Sequence, residues 1–283
     1  MLKNNLIDVE TVLDLMLDAV CIVDLKGNFI FVSAAFEHIF GYTAAEVVGE
    51  NMINYVYQDD HHKTQNVVSS LLYGNAKNPQ FENRWVRKDG NVVHILWSVR
   101  WSEDHQVRVA VAHDITERKI IEKRLHHMAN YDALTDLPNR FSLMDMLQHT
   151  LVTAQQNNTV FALLFVDIDK FKAVNDTYGH TVGDQLLHRI AQRLSYVVKD
   201  SGTVGRLGGD EFLIILDRLK QPIEATFVKR KIIAQFKIAF EFEDINLNIN
   251  PSIGLAIFPN DGQTSHELIK YADKAMYKIK QNT

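Results

Sequence analysis

The run Val160-Phe161-Ala162-Leu163-Leu164-Phe165-Val166, closing on Asp167-Ile168-Asp169, decides how this chain is read. Its unbroken apolar content predicts a buried strand over Val160–Val166. Ligands of open α/β sheets sit at strand ends, so carboxylates carried there by a rigid strand are well placed for a metal. Asp169 precedes a short helix expected over Lys170–Asp176 and could equally cap it. A second acidic group, Gly208-Gly209-Asp210-Glu211-Phe212, lies between the strand-like Thr203–Arg206 and the apolar strand Phe212–Leu216. The Gly208-Gly209 pair signals a hairpin turn, and its lack of side chains lets a bulky ligand approach the backbone. Two acids beside a buried strand repel each other unless a cation or solvent compensates them. A dication shared with Asp167 would do so. In regular β structure Asp210 and Glu211 point to opposite sides, so only one faces that spot; a bulge or twist could bring both close.

Between the acidic groups lies Asn175-Asp176-Thr177-Tyr178-Gly179-His180-Thr181-Val182-Gly183-Asp184. A carboxylate accepts from two adjacent N–H groups, the pattern of a guanine edge, and an amide donates to its carbonyl; Asn175 and Asp184 offer these, though both types also form turns and caps. His180 reads as a turn residue or substrate contact, because no second His or Cys stands at ligand spacing. There is no G-x-x-x-x-G-K-[ST] and no G-x-G-x-x-G, so phosphates would need backbone amides near Lys170–Lys172 and lysines such as Lys172 and Lys280. Gln185–Val198 is an amphipathic helix. Hairpin, helix, strand and helix follow over Gly202–Leu216, Ile223–Phe240, Leu247–Phe258 and Ser265–Lys280, which predicts an α/β unit with a mixed central sheet surrounded by helices.

Towards the N-terminus the elements shorten. Ala19–Val23 and Phe29–Ser33 flank a tight turn, Ala34–Tyr42 is helical, Phe81–Val86 and Val92–Val99 form a second hairpin, and Val107–Ala112 is a last strand. That makes a small antiparallel five-stranded sheet with flanking helices. Glu117–Asn130 is charged with Ile121, Leu125 and Met128 on one helical face: a short coiled-coil seam, or a helix docked on its own domain. The 283 residues have length for about two domains, and 46% hydrophobic with 23% charged residues disfavours disorder. A net charge of −5 argues against nucleic-acid coating. The single cysteine, Cys21, excludes an intramolecular disulfide. With no secretory signal or membrane span visible, the chain reads as cytoplasmic and soluble.

Two resemblances follow from these residues. LDAVCIVDLKGNFIFVSAAFEHIFGYTAAEVVGENMINYV and WVRKDGNVVHILWSV, closing with HDITERK, resemble a PAS sensor domain over residues 8–118, followed by a helical linker over 119–130. YDALTDLPNR, VDIDKFKAVNDTYGHTVGDQLL, RLGGDEF and SIGLAIFPNDG–YADKAMYKIK resemble, in order and spacing, a GGDEF-type diguanylate cyclase over 127–283. The second resemblance implies condensation of two GTP into cyclic di-GMP and two pyrophosphates by a homodimer, serving cyclic di-GMP receptors downstream. Matched position by position, it implies Asp167, Asp210 and the Ile168 carbonyl as ligands of Mg2+, two ions per active site, with Glu211 assisting. It implies Asp210 as base, Asn175 and Asp184 as guanine contacts, His180 as a further substrate contact, and Lys172 and Lys280 as phosphate contacts. Where the family carries an Arg-x-x-Asp product-inhibition motif, this chain reads Lys199-Asp200-Ser201-Gly202, implying no feedback there. Where the family continues with Gly-Arg-Asn after Lys280, this chain reads Gln281-Asn282-Thr283, so either a phosphate-binding arginine is missing or the sequence has been trimmed. The PAS ligand is unknown: Cys21 lacks the Asn-Cys-Arg context of a flavin-cysteinyl sensor, and His61, His62 and His94 are haem-ligand candidates or plain surface histidines. A catalytically silent GTP- or cyclic-di-GMP-binding regulator is the alternative, and the chain could be part of a longer protein with a following phosphodiesterase domain.

Overall fold

A computed structural model describes residues 8–73, 80–242 and 245–281. The chain divides into two compact units, Met1–Arg124 and Leu125–Thr283. In the first, α1 (Val9–Asp14) precedes the hairpin β1 (Ala19–Val23) and β2 (Phe29–Val32), then α2 (Ala34–Phe40), α3 (Ala44–Val47), α4 (His61–Tyr73), β3 (Gln80–Val86), β4 (Val92–Ser102) and β5 (Val107–Asp114). The sheet order is β2-β1-β5-β4-β3, antiparallel at every pairing, as the hairpin signals require. Its inner face packs on α2, where Phe29, Phe36, Phe40, Trp85 and Trp97 meet ring to ring.

Asp60 fastens this core to β3. Its carboxylate accepts from the Arg84 backbone N–H at 2.7 Å, from Nε at 3.1 Å and from a terminal guanidinium nitrogen at 2.7 Å. The Arg84 hydrogen bonds hold the Asp60 carboxyl below the usual carboxylate range. A lowered carboxyl stabilises the fold above the unfolded value of about 3.9 and loses that contribution as pH falls through its folded value. Asp60→Asn should therefore cost about 2 kcal/mol at neutral pH, and the gap should close in acid. Urea titrations at pH 7 and below pH 4 check this; a gap unchanged by pH would contradict it.

Cys21 is buried, and burial pushes its thiol up to about 12, so it stays protonated. His61 Nε2 lies 2.9 Å from the Val56 carbonyl, and no cluster of three metal-binding side chains forms among the described residues. No helix among them is long and apolar enough to cross a membrane. The helix α5 (Thr116–Asn130) buries none of its residues; Ile121, Leu125 and Met128 are exposed, so within one chain the expected seam is not docked.

In the second unit α6 (Arg140–Asn157), β6 (Phe161–Ile168), α7 (Phe171–Tyr178), α8 (His180–Val198), β7 (Thr203–Gly208), β8 (Glu211–Leu216), α9 (Ile223–Phe236), β9 (Phe240–Phe242), β10 (Ile245–Leu247), β11 (Pro251–Phe258) and α10 (Ser265–Lys280) follow. The main sheet has the order β11-β6-β8-β7. The helical crossovers link strands of like direction, β6 with β7 and β8 with β11. Each such pair is separated by an interposed strand, so the neighbours in this α/β sheet pair antiparallel rather than in the mixed pattern expected. The helix expected over Ile223–Phe240 stops at Phe236 because Arg193 of α8 reaches it. The guanidinium donates to the carbonyls of Gln235, Ile238 and Ala239 and stacks 3.6 Å over the Phe240 ring, a cap supplied from distant sequence. The strand expected over Leu247–Phe258 likewise divides into β10 and β11.

β6 is buried along its whole length, as its apolar run predicts. Ala162, Leu164, Val166 and Ile168 face α8 and α9, whereas Phe161, Leu163 and Phe165 face α6 and α10. Alternation therefore assigns Asp167 to the α10 face. The same count along β8, where Phe212 and Ile214 face α8 and Leu213 and Ile215 face α10, assigns Glu211 to that face too.

Candidate active site

β6 runs two residues beyond the expected strand, so Asp167 is a member of the ladder and sits directly opposite Glu211. The next pair exchanges a backbone bond, Ile168 N–H to the Asp210 carbonyl at 3.3 Å, which turns both main-chain edges of Ile168 toward the hairpin. Asp167 and Glu211 thus form the closer, non-hydrogen-bonded kind of pair, in which like charges destabilise. Gly209 and Asp210 make a two-residue loop between β7 and β8, with Gly209 at φ 54° and Gly208 at φ 143°. That conformation favours glycine, and a Cβ at either position would meet nothing within 4 Å, leaving the approach open. The register slips by one residue between Arg206 and Gly208, a bulge that twists the hairpin end.

The charge of Asp167 acts on both neighbouring acids. Burial pushes the Asp210 carboxyl up and Asp167 pushes it further. Burial, then Asp167, Asp210 and Asp273, raise Glu211. The compensating cation is Lys280, from the last turn of α10, whose Nζ donates to Asp167 Oδ1 at 2.5 Å. That bond raises the Lys280 ammonium above its ordinary value. Asp169 does not cap α7; Lys170, at φ 60°, occupies the cap position without a side-chain bond, and Asp169 instead accepts from Ser252 Oγ at 2.7 Å. The start of α7 thus keeps backbone donors beside the end of β6.

Asn175 and Gly183 meet where α7 and α8 pack. Asn175 Oδ1 is buried without a hydrogen-bond partner, and a Cβ on Gly183 would lie 1.8 Å from it. Asp184 is exposed and, with Leu134, Thr181 and His188, lines a groove of about 980 Å³. Lys172 and His180 are exposed in the first turns of α7 and α8. Asn282 and Thr283 lie outside the described residues.

Two residues went unnoticed in the sequence. Arg206 donates to the Gly209 carbonyl at 3.0 and 2.7 Å and to Asp132 at 2.8 Å, bracing the hairpin loop from behind. Burial works against the Asp132 charge, but bonds from Thr135 and Arg206 hold its carboxyl below the usual range. Both lie inside the quoted motifs, YDALTDLPNR and RLGGDEF, but their contact spans 74 positions and no local pattern announces it.

As a metal site the donor set fits Mg2+ in kind: hard carboxylate oxygens with surplus negative charge, beside the main chain of Ile168. No three of the described His, Cys, Asp or Glu side chains already converge on one point. Mg2+ is commonly held by one or two carboxylates together with substrate phosphates, so Asp167 and Asp210 suffice in number.

A family model described as diguanylate cyclase, GGDEF domain, matches residues 129–283, and a PAS fold model matches residues 7–115. Signaling protein YkoW of Bacillus subtilis is 46% identical over 172 residues, 60% of this chain and 22% of YkoW. Diguanylate cyclase TpbB of Pseudomonas aeruginosa is 37% identical over 157 residues, 55% of this chain and 36% of TpbB. Cyclic di-GMP phosphodiesterase PdeR of Escherichia coli is 34% identical over 168 residues, 59% of this chain and 25% of PdeR. The chain thus spans between about a fifth and just over a third of the length of these curated relatives. Among solved structures, the isolated GGDEF domain of TpbB matches with a TM-score of 0.53 at 35% identity, covering 54% of this chain and 90% of that one. The coiled coil and GGDEF domain of DgcB from Caulobacter crescentus, in complex with c-di-GMP, matches with a TM-score of 0.53 at 28% identity, covering 59% and 89%.

Proposed function

The chain belongs to the GGDEF family, its GGDEF domain preceded by a PAS fold, and from that premise we propose that it is an active diguanylate cyclase. It condenses two GTP into cyclic di-GMP and two pyrophosphates, with the PAS unit as its sensor and a homodimer as its working form. The observation that carries this reading is the placement of Asp210 at an open hairpin loop beside the directly opposed Asp167 and Glu211.

In each half-reaction the 3′-hydroxyl of one GTP gives its proton to Asp210, its oxygen bonds to the α-phosphorus of the other GTP, and the bond to pyrophosphate breaks. A carboxylate raised by burial and by Asp167 is a stronger base than an ordinary aspartate. Mg2+ held by Asp167 and Asp210, with the Ile168 carbonyl and assistance from Glu211, would acidify the hydroxyl and neutralise charge on the phosphates. Asp184 takes the guanine N–H edge, the Asn175 amide donates to the guanine carbonyl, and His180 is a further substrate contact. Gly208 and Gly209 admit the nucleotide to the backbone, while Lys172 and Lys280 meet phosphate oxygens.

One domain holds one GTP, so two copies must face each other. The rate of pyrophosphate release per protein molecule is expected to rise with protein concentration until dimer dominates. A constant rate down to concentrations where light scattering detects only monomer would contradict the two-copy mechanism. The silent-regulator reading draws support from the relatives named phosphodiesterases and from Lys280, which already neutralises Asp167.

A further inference from the structure

The loop that carries Asp210 has little of its own to hold it still. Gly208 and Gly209 precede Asp210, both at positive φ, and glycine has the freest backbone of any residue. Nothing packs within 4 Å of where their side chains would stand. Two main-chain bonds flank Asp210 instead. On one side its own carbonyl accepts from the Ile168 N–H at 3.3 Å. On the other, the Gly209 carbonyl accepts from Arg206, from Nε at 3.0 Å and from a terminal nitrogen at 2.7 Å. This second anchor is a side chain, and it is itself held from behind. The other terminal nitrogen of Arg206 donates to Asp132 Oδ1 at 2.8 Å, an oxygen that also accepts from the Thr135 N–H and hydroxyl at 2.9 and 2.7 Å. The Arg206 side chain is only 11% exposed, so little water competes for these bonds.

The peptide joining Gly209 to Asp210 is planar, so fixing its oxygen fixes the plane from which the Asp210 side chain departs. We propose that Arg206 is a positioning residue for the cyclase reaction: braced by Asp132, it orients the Gly209-Asp210 peptide and with it the Asp210 carboxylate toward the attacking hydroxyl. The inference rests on the cyclase reading. Lysine in this place keeps the charge, but an ammonium on a flexible stem lacks the planar fork that grips one carbonyl with two nitrogens and Asp132 with a third. The guanine contacts assigned to Asn175 and Asp184 lie on other elements, α7 and α8, so the loss falls on kcat rather than on KM.

The test follows turnover of GTP with Mg2+ by the full chain over a range of GTP concentrations. Sites are counted with a GTP analogue whose α,β-bridging oxygen is replaced by methylene, so that misfolded molecules drop out of the rate per site. Arg206→Lys is expected to lower kcat per site at least about tenfold while KM moves less than about threefold, as a misplaced reacting group does. Asp132→Ala should lower kcat in the same way, and the double variant should lose far less than the product of the two single losses, because both act on one contact. A kcat per site in Arg206→Lys within about threefold of wild type, a loss carried by KM, or losses that multiply in the double variant overturns the proposal and leaves the cyclase reading standing. Wild-type protein that fills its sites with the analogue yet makes no cyclic di-GMP overturns both.

Discussion

Asp210→Asn is expected to lower cyclic di-GMP formation by about a thousandfold, the combined loss of a general base and of one metal-binding carboxylate. The same change should leave the GGDEF domain at least as stable as before. Burial and the Asp167 charge both raise the Asp210 carboxyl, so the folded state holds that proton more tightly than the unfolded chain does. The sign follows: the ionised group costs stability fully above its folded value, and the cost fades as pH falls toward the unfolded value of about 3.9. The Asn variant should melt higher than wild type in mild alkali, with the difference vanishing in acid. Thermal melts across pH, run beside turnover assays, separate the roles. A variant that loses activity and stability together would make Asp210 a structural residue. Activity exchanged for stability is the mark of charges gathered for chemistry.

Gly254→Ala should unfold or strongly weaken the second unit, by about 3 kcal/mol or more. A Cβ there would lie 1.8 Å from the Ala272 carbonyl oxygen and 2.5 Å from the Met276 backbone nitrogen. Both are main-chain atoms of α10, so no side-chain rotation relieves the clash and the helix itself must withdraw from β11. Leu268, Ala272 and Met276 then leave the core they share with Leu163 and Phe165. Lys280, at the end of that helix, is drawn off Asp167. Urea titration should show the midpoint falling by about 1 M or more. A midpoint within error of wild type would mean that α10 does not pack on β11 as closely as described.

Much of the fold was legible because its signals are local. The apolar run Phe161–Val166 announced a strand buried on both faces, the Gly208-Gly209 pair announced the hairpin, and Ser265–Lys280 read as the helix that forms. What escaped depends on partners distant in sequence. Arg193 ends α9 from another helix, and the interposed strands that make every main-sheet neighbour antiparallel follow from the order of assembly. The acidic residues of the candidate site were visible one by one, but not their relation. That Asp167 faces Glu211 depends on β6 continuing two residues past its apolar run. Lys280 meets Asp167 across 113 positions and Ser252 meets Asp169 across 83, contacts that no spacing rule encodes. The burial of Arg108 was equally hidden, since a single arginine in a strand looks solvated until the packing around it is seen.

The most direct test of the account is to incubate the purified protein with GTP and Mg2+ and identify the products by chromatography and mass spectrometry. The expected result is cyclic di-GMP with two pyrophosphates for each product molecule. GTP that binds yet remains intact at every protein concentration would contradict it, and would leave the carboxylates around Asp210 as part of a nucleotide-binding regulator.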